Sequence, residues 1–284
     1  MFLLELTLIV AAGVSPLSAR EPDRAPPGYT KVFADEFDSE AIDPAAWRFD
    51  VSRNAAGWYN QEKQYYADGR RENSRVEQGR LIIEARQETL DKAHFPDWGG
   101  QKYSSARMVS QAKVGFTYGF FEIRAKLPCG RGTWPAIWML PADTKVEWPT
   151  GGEIDIMEHV GFDPGVIHQT IITSAFNFNS GSEQTKAFPV ADACTAMHRY
   201  QLLWTPDFIV SGIDDNPKFM FKKVRTSRDR WPFDQPMQII LNVAVGGSWG
   251  GQKGIDPAAF PARMEVDYVR VYQRPAAPLK SGEQ

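Results

Sequence analysis

Three acidic side chains, Glu153, Asp155 and Glu158, fall in the run GGEIDIMEH, where the residues between them are apolar. In a helix the two glutamates would point about 140° apart. In a regular strand Glu153 and Asp155 share one face, while Glu158 points into the apolar face at a high desolvation cost. One extra residue near Met157, a β-bulge, returns Glu158 to the acidic face. The spacing therefore predicts a bulged strand with three carboxyl groups in a row.

The two glutamates of such a strand are separated like positions four apart, roughly 13 Å between Cα atoms. Side chains that lean toward each other leave about 5–6 Å between the carboxyl groups, the separation of a nucleophile and an acid/base in retaining glycoside hydrolysis. Asp155 lies between them, and its charge favours a proton on the less solvated glutamate. One glutamate can then stay ionised while the other holds a proton.

Two other interpretations of the acidic run stay open on the residues alone. The run can be the solvated face of an edge strand, although neighbouring like charges repel each other and disfavour this. Alternatively, the acids and His159 can hold a divalent metal ion.

The elements that must position this run are short, alternating or apolar segments bounded by Gly, Pro, Asn or Asp. They are RLIIEAR (80–86), YGFFEIRAKL (118–127), TWPAIWMLP (133–141), HQTIITSAF (168–176), HRYQLLW (198–204), FIVSGID (208–214), QIILNVAV (238–245) and MEVDYVRVY (264–272). No long segment repeats its apolar residues at a helical period. Many short strands separated by turns predict an all-β sandwich or barrel.

The composition excludes some classes of partner. The 284 residues, 43% of them hydrophobic, can bury one large core, which an all-β sandwich of this size usually does as one domain. The net charge is −3, so no excess of Lys and Arg exists to bind nucleic acid. Cys129 and Cys194 can pair in a secreted protein, but the sequence does not establish their proximity.

The chain ends have their own patterns. Residues 1–19, apolar with small residues at the end, predict a signal peptide and hence a secreted or periplasmic protein. This run is too short to span a bilayer, so no membrane association is expected. Residues 20–28 predict a linker, 29–273 the folded domain, and 274–284 a polar tail.

The acidic run resembles the bulged signature E-(I/L/V)-D-x-x-E of family 16 glycoside hydrolases. The resemblance extends over about residues 30–273. Its motifs, in order, are FADEFD (33–38), WYNQEKQYY (58–66), GRLIIEAR (79–86), YSSARM (103–108), YGFFEIRAKLPCGRGTWPAIWMLP (118–141), WPTGGEIDIMEHVG (148–161), WTPD (204–207), WPFDQPMQIILNVAVGGSWGG (231–251) and MEVDYVRVYQ (264–273). It implies a concanavalin A-like β-jelly roll of two curved sheets with a concave substrate cleft. The motif combination is similar to laminarinase-like enzymes, which implies endo-hydrolysis of β-1,3-glucans by double displacement.

The resemblance also implies a role for individual residues. Glu153 matches the nucleophile, Glu158 the acid/base and Asp155 an assisting acid, with no cofactor needed for catalysis. Positions expected to contact the polysaccharide are Asn60, Arg107, Trp134, Trp138, His168 and Trp249. On the residues alone, each Trp can instead belong to the core, and Arg107 can pair with a structural acid.

A structural calcium ion is implied by positions that match Glu36, Gly79 and Asp267. Oxygen ligands of this kind suit calcium. Asp267 can equally be a solvated residue of its strand.

One departure from the family pattern concerns the strand that should lie beside the acidic run. Relatives often carry Thr-x-His there, whereas this chain has Thr170 followed by Ile172. His168, Thr170 and Ile172 share one face of a strand. We therefore expect Ile172 to line a water-accessible part of the cleft beside Glu158.

Alternative functions within the same family stay open from the sequence. The substrate can be a mixed-linkage β-1,3-1,4-glucan or a galactan, or the protein can bind glucan without cleaving it. The intact pair of Glu153 and Glu158 favours hydrolysis. We expect the enzyme to act as a monomer.

Overall fold

Two β-sheets pack face to face around one apolar core. The computed structural model describes residues 21–111, 113, 115–223 and 227–275. The predicted signal peptide and the tail beyond residue 275 lie outside the described residues. The described part contains no α-helix, and none of its helical turns is long and apolar enough to cross a membrane. The all-β prediction is confirmed.

The strands alternate along the chain with tight turns and loops. They are β1 (Thr30–Asp35), β2 (Trp47–Phe49), β3 (Gln64–Tyr66), β4 (Ser74–Glu77), β5 (Arg80–Gln87), β6 (Tyr103–Ser105), β7 (Arg107–Ser110), β8 (Gly119–Lys126), β9 (Thr133–Pro141), β10 (Glu153–Glu158), β11 (Val166–Ile172), β12 (Gln184–Pro189), β13 (His198–Trp204), β14 (Phe208–Ile213), β15 (Asn216–Lys222), β16 (Met237–Val245) and β17 (Ala262–Gln273). Short 3₁₀ turns lie at Tyr59–Gln61, Phe178–Ser180 and Pro257–Ala259.

The strands form two sheets in a jelly-roll sandwich. One sheet has the order β15-β14-β13-β8-β17-β5-β6-β3, with β1 also paired to β17 and β4 to β5. The other has the order β12-β11-β10-β9-β16-β7-β2. The acidic run is therefore β10, a central strand of the second sheet rather than an edge strand.

The core lies between the two sheets and takes alternate residues from each strand. Ile137 and Met139 of β9 are fully buried in it, whereas Trp134 and Trp138 are partly exposed and point the other way. Each fully buried side chain of this size contributes roughly 1.5–3 kcal/mol to folding. The same alternation that fills the core thus leaves the polar and aromatic residues of the second sheet on its opposite face.

The predicted bulge interrupts β10. Against β9, Asp155 pairs with Trp138 and Met157 with Ile137, so that Ile156 has no partner of its own. Ile156 and Met157 are both fully buried in the core. Two consecutive apolar residues can enter the core only because the bulge supplies an extra residue.

The first described residues are already bound to the domain. Arg270 donates to the backbone oxygen of Glu21 at 2.9 Å, and Tyr272 donates to Asp23 at 3.0 Å. The stretch predicted as a linker, 20–28, thus contacts β17 through its described part.

The two cysteines form a disulfide bond. Cys129 follows β8 and Cys194 lies in the loop after β12, with their Cα atoms 5.8 Å apart. The bond joins two loops that are 65 residues apart in the sequence. The pairing that the sequence left open is therefore made.

Candidate active site

The three acids of β10 lie on the face of the second sheet that points away from the core. Asp155 is 3% exposed and Glu158 is 9% exposed, while Glu153 is partly buried. Burial at this level is unusual for carboxyl groups unless they have partners or hold protons. The partners of each group decide which of them is ionised.

Glu153 is held by donors on two sides. The indole nitrogen of Trp148 donates to Glu153 Oε2 at 2.6 Å. Burial raises the pKa of Glu153, but the hydrogen bonds from Trp148 and Asp155 and the positive charge of Arg107 oppose this rise. Of the three acids, Glu153 is the one whose ionised form is favoured by two hydrogen bonds and a positive charge together.

The surroundings of Asp155 favour its protonated form. Burial is the main cause that raises its pKa well above the usual range, and the charges of Glu153 and Glu158 raise it further. Its Oδ2 atom is buried and accepts no hydrogen bond. The hydrogen bond between the two carboxyl groups raises the pKa of Asp155 and lowers that of Glu153, so it favours the ionised form of Glu153.

Glu158 holds a proton at neutral pH. Burial raises its pKa to about 8, and the negative charges of Glu153 and Glu62 also raise it, whereas a hydrogen bond from Trp134 opposes this. That bond joins Trp134 Nε1 to Glu158 Oε1 at 3.0 Å. The rise in pKa is thus opposed by more groups at Glu153 than at Glu158, which suits a nucleophile at the first position and a general acid at the second.

Aromatic side chains stand beside Glu158. The rings of Trp134 and Trp249 meet edge to face at 5.3 Å, and His168 meets Trp249 in the same way at 4.8 Å. Burial lowers the pKa of His168, so that its ring is neutral at neutral pH. Trp134, His168 and Trp249, three of the positions expected to contact the polysaccharide, thus lie together beside Glu158.

Trp138 lies on the cleft side and not in the core. Its indole donates to Asn242 Oδ1 at 2.7 Å, and the guanidinium of Arg107 lies 4.7 Å from the centre of its ring. Arg107 also forms an ion pair with Asp50 at 3.1 Å. Arg107 therefore pairs with an acid and also acts by its charge on Glu153, while its contact with the polysaccharide stays a prediction.

Asn60 lies at the exposed edge of the site in a left-handed conformation, with φ of 56°. Its side chain donates to Glu62 Oε1 at 3.4 Å, and its backbone oxygen accepts from the backbone N–H of Ser248 at 2.6 Å. The second contact fixes the glycine-rich loop that carries Trp249.

Glu62 is a site residue that the sequence reasoning missed. Gln64 donates to it at 2.8 Å, and burial raises its pKa while Arg107 opposes that rise. Its charge acts on Glu158. The alternation of Asn60, Glu62 and Gln64 in the run WYNQEKQYY is the signal that could have found it.

The expected position of Ile172 is wrong in two respects. In the register of β10 and β11, Ile172 lies opposite Glu153, and His168 is the residue opposite Glu158. Ile172 is also only 1% exposed, so it does not line a water-accessible surface. Ile172 does not belong to the core between the sheets, so it lies on the same face as the acids, as predicted. Its burial shows that this part of the face is not open to water.

The predicted calcium ligands do not fit a calcium site in this arrangement. Both oxygens of Glu36 accept hydrogen bonds from Arg270, at 2.8 and 2.9 Å. Asp267 forms an ion pair with Arg124 at 2.6 Å. Gly79 is a turn residue with φ of 72° between β4 and β5. Calcium would have to displace two guanidinium groups, so the prediction is not supported.

His159 does not join the acids in a metal site. Its ring is fully buried, accepts from the backbone N–H of Gly165 at 3.3 Å and lies 3.9 Å from Cys129 Sγ. Within the described ranges, the only group of potential metal-ligating residues combines His159 with Cys129 and Cys194, whose sulfurs form the disulfide. His159 is therefore not available as a ligand for a metal ion bound at the acidic run.

A buried pair of carboxyl groups with raised pKa values, on a bulged strand of a jelly-roll sandwich, is the arrangement of a glycoside hydrolase. The chain belongs to the glycosyl hydrolases family 16, whose model matches residues 61–270. It is 48% identical over 275 residues to a beta-glucanase of Rhodothermus marinus, covering 94% of this chain and 92% of the relative.

Solved structures show the same similarity. The laminarinase from Rhodothermus marinus aligns with a TM-score of 0.80 at 48% identity, over 86% of this chain and 97% of that one. A mutant of SCLam, a non-specific endo-β-1,3(4)-glucanase of this family, aligns with a TM-score of 0.85 at 50% identity, over 89% and 98%. That structure presents a 1,3-β-D-cellobiosyl-glucose at its active site.

Proposed function

We propose that the protein cleaves internal β-1,3-glucosidic bonds of laminarin-type glucans by double displacement, with retention at the anomeric carbon. The observation that carries this proposal is the asymmetry of the carboxyl pair. Burial raises the pKa of both groups, to about 8 for Glu158, but two hydrogen bonds and the charge of Arg107 oppose the rise at Glu153, whereas the charges near Glu158 add to it. The similarity to a laminarinase and to β-glucanases supports glucan as the substrate.

In the first step one oxygen of Glu153 attacks the anomeric carbon, and the bond from that carbon to the glycosidic oxygen breaks. The proton of Glu158 passes to this oxygen, so the leaving sugar departs as a neutral alcohol. The products are an α-linked glycosyl ester on Glu153 and an ionised Glu158.

In the second step Glu158 acts as a base. It takes a proton from water, whose oxygen attacks the anomeric carbon from the side that the first sugar left. The ester bond breaks, and its electron pair returns to Glu153 as a carboxylate. The proton on Asp155, shared with Glu153, stabilises the charge that reappears there.

A second candidate function is hydrolysis of mixed-linkage β-1,3-1,4-glucan. It is favoured by the similarity to SCLam, which is described as a non-specific endo-β-1,3(4)-glucanase. Release of reducing sugar from laminarin, lichenan, agarose and carrageenan distinguishes the candidates. We expect release from laminarin, and Glu153→Gln measured in parallel controls for contaminating activity. Release from agarose or carrageenan alone would contradict a glucanase.

We also propose that the protein works outside the cytoplasm as a monomer. The signal-like residues 1–19 motivate the first part, and the bond between Cys129 and Cys194 supports it, because disulfides persist in oxidising compartments. Detection of the protein in the medium or periplasm, and its mass in solution, test the two parts.

A further inference from the structure

His159 is a buried histidine whose hydrogen bonds do not account for its place. Its ring is fully buried, and a polar ring at such a site costs free energy unless its nitrogens have partners. Nε2 accepts from the backbone N–H of Gly165 at 3.3 Å, whereas Nδ1 has no hydrogen-bond partner among the described residues. A second polar neighbour of Nε2 is Cys129 Sγ at 3.9 Å. The ring is therefore held with one nitrogen beside the disulfide bond.

Three atoms that bind the same kind of metal ion meet at this point. Nε2 of His159 and the sulfurs of Cys129 and Cys194 all lie within 4.8 Å of one another. Because Nε2 accepts a hydrogen bond, the proton of the neutral ring is on Nδ1, and Nε2 carries the lone pair. Thiolate sulfur and imidazole nitrogen are the ligands that zinc prefers in proteins. In the oxidised chain the two sulfurs are bonded to each other, so the ligand set is complete only in the reduced chain.

The three segments that carry these atoms are also joined by backbone hydrogen bonds. The N–H of Leu127 donates to the oxygen of Ala193 at 3.1 Å, close to both cysteines in the sequence. The N–H of Val190 donates at 2.7 Å to the oxygen of Gly165, whose own N–H donates to His159. Neither of these backbone bonds involves sulfur. We therefore expect the segments to stay together when the disulfide bond opens.

Close packing beside His159 limits the movement of the same segments. A Cβ atom on Gly161 would collide with the backbone oxygen of Gly130, the residue after Cys129. The N–H of Gly161 also donates to the backbone oxygen of Thr133 at 2.9 Å. The end of the strand that leads into His159 thus lies directly against the loop that carries Cys129.

The spacing of the ligand atoms suits a tetrahedral zinc ion. Zinc bonds of about 2.3 Å to sulfur and about 2.0 Å to nitrogen place the two ligand atoms roughly 3.5 Å apart. The 3.9 Å between Cys129 Sγ and His159 Nε2 is close to this value. Two sulfur ligands of zinc are about 3.8 Å apart, a separation that rotation of the two cysteine side chains supplies with their Cα atoms still 5.8 Å apart. Both cysteines are partly exposed, so a reductant and a metal ion can reach them from solvent.

We propose that the reduced chain binds a zinc ion through Cys129, Cys194 and His159, at the place where the oxidised chain has its disulfide bond. A dithiol opens this bond by exchange: it gives two electrons and two protons to the pair and becomes a disulfide itself. Zinc then replaces the protons of the two thiols, which pass to water, and keeps its fourth position for a water molecule. A newly made chain, whose thiols are not yet oxidised, needs no reductant. The site is independent of the reaction proposed above.

Cobalt(II) is the probe, because a bond between cobalt and a thiolate absorbs light in the near ultraviolet, whereas zinc gives no such signal. The chain is reduced with a phosphine, freed of it without oxygen, and titrated with cobalt(II). We expect a charge-transfer band that saturates at about one ion per chain and disappears when zinc(II) displaces cobalt. The oxidised chain is the matched control and should show no band. Since the chain has 2 Cys, the band reports these two sulfurs alone.

Substitution of His159 distinguishes a built site from two flexible thiols. His159→Phe keeps a ring at the buried position and removes the nitrogen ligand. It should weaken cobalt(II) binding by at least the roughly 10–100-fold that loss of an outer-shell partner costs. His94→Phe replaces an exposed ring that pairs with Asp91, and it should bind cobalt(II) like the wild type. Melting temperatures of the oxidised variants establish that they fold.

Melting of the reduced wild type gives a second readout. Zinc(II) should raise the melting temperature of the reduced chain, since an ion bound only to the native state stabilises it, and should leave that of the oxidised chain unchanged. Absence of a cobalt–thiolate band in the reduced chain would overturn the proposal. Equal cobalt(II) affinity in His159→Phe, or in the reduced wild type unfolded by urea, would overturn the three-ligand site, because two free thiols would then explain the binding.

Discussion

Ile172 lies directly opposite Glu153 in the antiparallel register of β10 and β11, and His168 lies directly opposite Glu158. The apolar partner thus adjoins the carboxyl proposed as the nucleophile, and the imidazole adjoins the carboxyl proposed as the acid/base. Because Ile172 is almost fully buried, it contributes to the low polarity around Glu153.

Substitution of Ile172 by His tests this placement. We expect Ile172→His to lower the melting temperature, since an unpaired polar ring at a buried site costs about 1–3 kcal/mol. An imidazolium beside Glu153 would favour the ionised form of this carboxyl. The acid limb of the pH profile of kcat/KM should therefore move to lower pH, while the alkaline limb should stay in place. Ile172→Val is the control. A variant of unchanged stability with a shifted alkaline limb would instead place residue 172 near Glu158.

The roles of the carboxyl pair are tested by removing each member. Glu153→Ala should abolish hydrolysis, because no glycosyl ester can form, and added azide should give an α-glycosyl azide. Glu158→Ala should still cleave substrates with good leaving groups, which need no proton, and azide should then give a β-product. NMR of the first wild-type product should show the β-anomer. An α-anomer as first product would exclude retention and the nucleophile role of Glu153.

Substitution of two neighbours of Glu158 should move the alkaline limb of the pH profile of kcat/KM in opposite directions. Trp134→Phe removes a donor to the ionised form, so the pKa of Glu158 should rise and the limb should move to higher pH. Glu62→Gln removes a negative charge, so the limb should move to lower pH. The measurement is kcat/KM against pH from 6 to 10. Shifts of the same sign in both variants would show that Glu158 does not set this limb.

Burial of Glu158 should cost stability at alkaline pH. Its pKa is raised from 4.5 to about 8 by burial first and by nearby charges second. A group with a raised pKa contributes stability that is full below pH 4.5 and is lost as the pH rises through about 8. Glu158→Gln should therefore melt higher than the wild type at pH 9, by about 2–4 °C per kcal/mol gained, and show little gain at pH 5. The exposed Glu40→Gln should melt like the wild type at both values.

Chelator should leave the melting temperature unchanged, since the carboxyls of the predicted calcium site are paired with arginines. Loss of the Asp267–Arg124 pair in Asp267→Asn should cost no more than about 1 kcal/mol. That cost should be equal with and without EDTA. A melting temperature of the wild type that falls with EDTA and recovers with calcium would show that the ion displaces these arginines.

Sequence alone predicted the bulge of β10, because strand alternation would otherwise bury Glu158 in the apolar core. Strands with a continuous apolar pattern were also predicted well, including β9 and β13 with their bounds. The strands that were not identified from their own pattern are β1, β2, β3, β4, β6, β7, β12 and β15. Hydrogen bonds to neighbouring strands, rather than their own residues, make them extended.

Contacts between distant segments were decided only by the tertiary structure. Parity placed His168 and Ile172 on one face, but only the register of β10 and β11 determines which carboxyl each one adjoins. Trp148 and Glu62 act from loops, whose course depends on supports such as Gln235 and Ser248 that no local pattern reveals.

The predicted calcium ligands also show that local sequence indicates the type of a residue but not its partners. Glu36 and Asp267 are suitable ligands by type, but their carboxyl oxygens are paired with arginine side chains of β8 and β17. The sequence therefore determined the chemistry available on each strand face, since that follows from local alternation and desolvation. Only the packed sheets determined which groups meet, because pairing energies depend on distances that the chain sets over the whole fold.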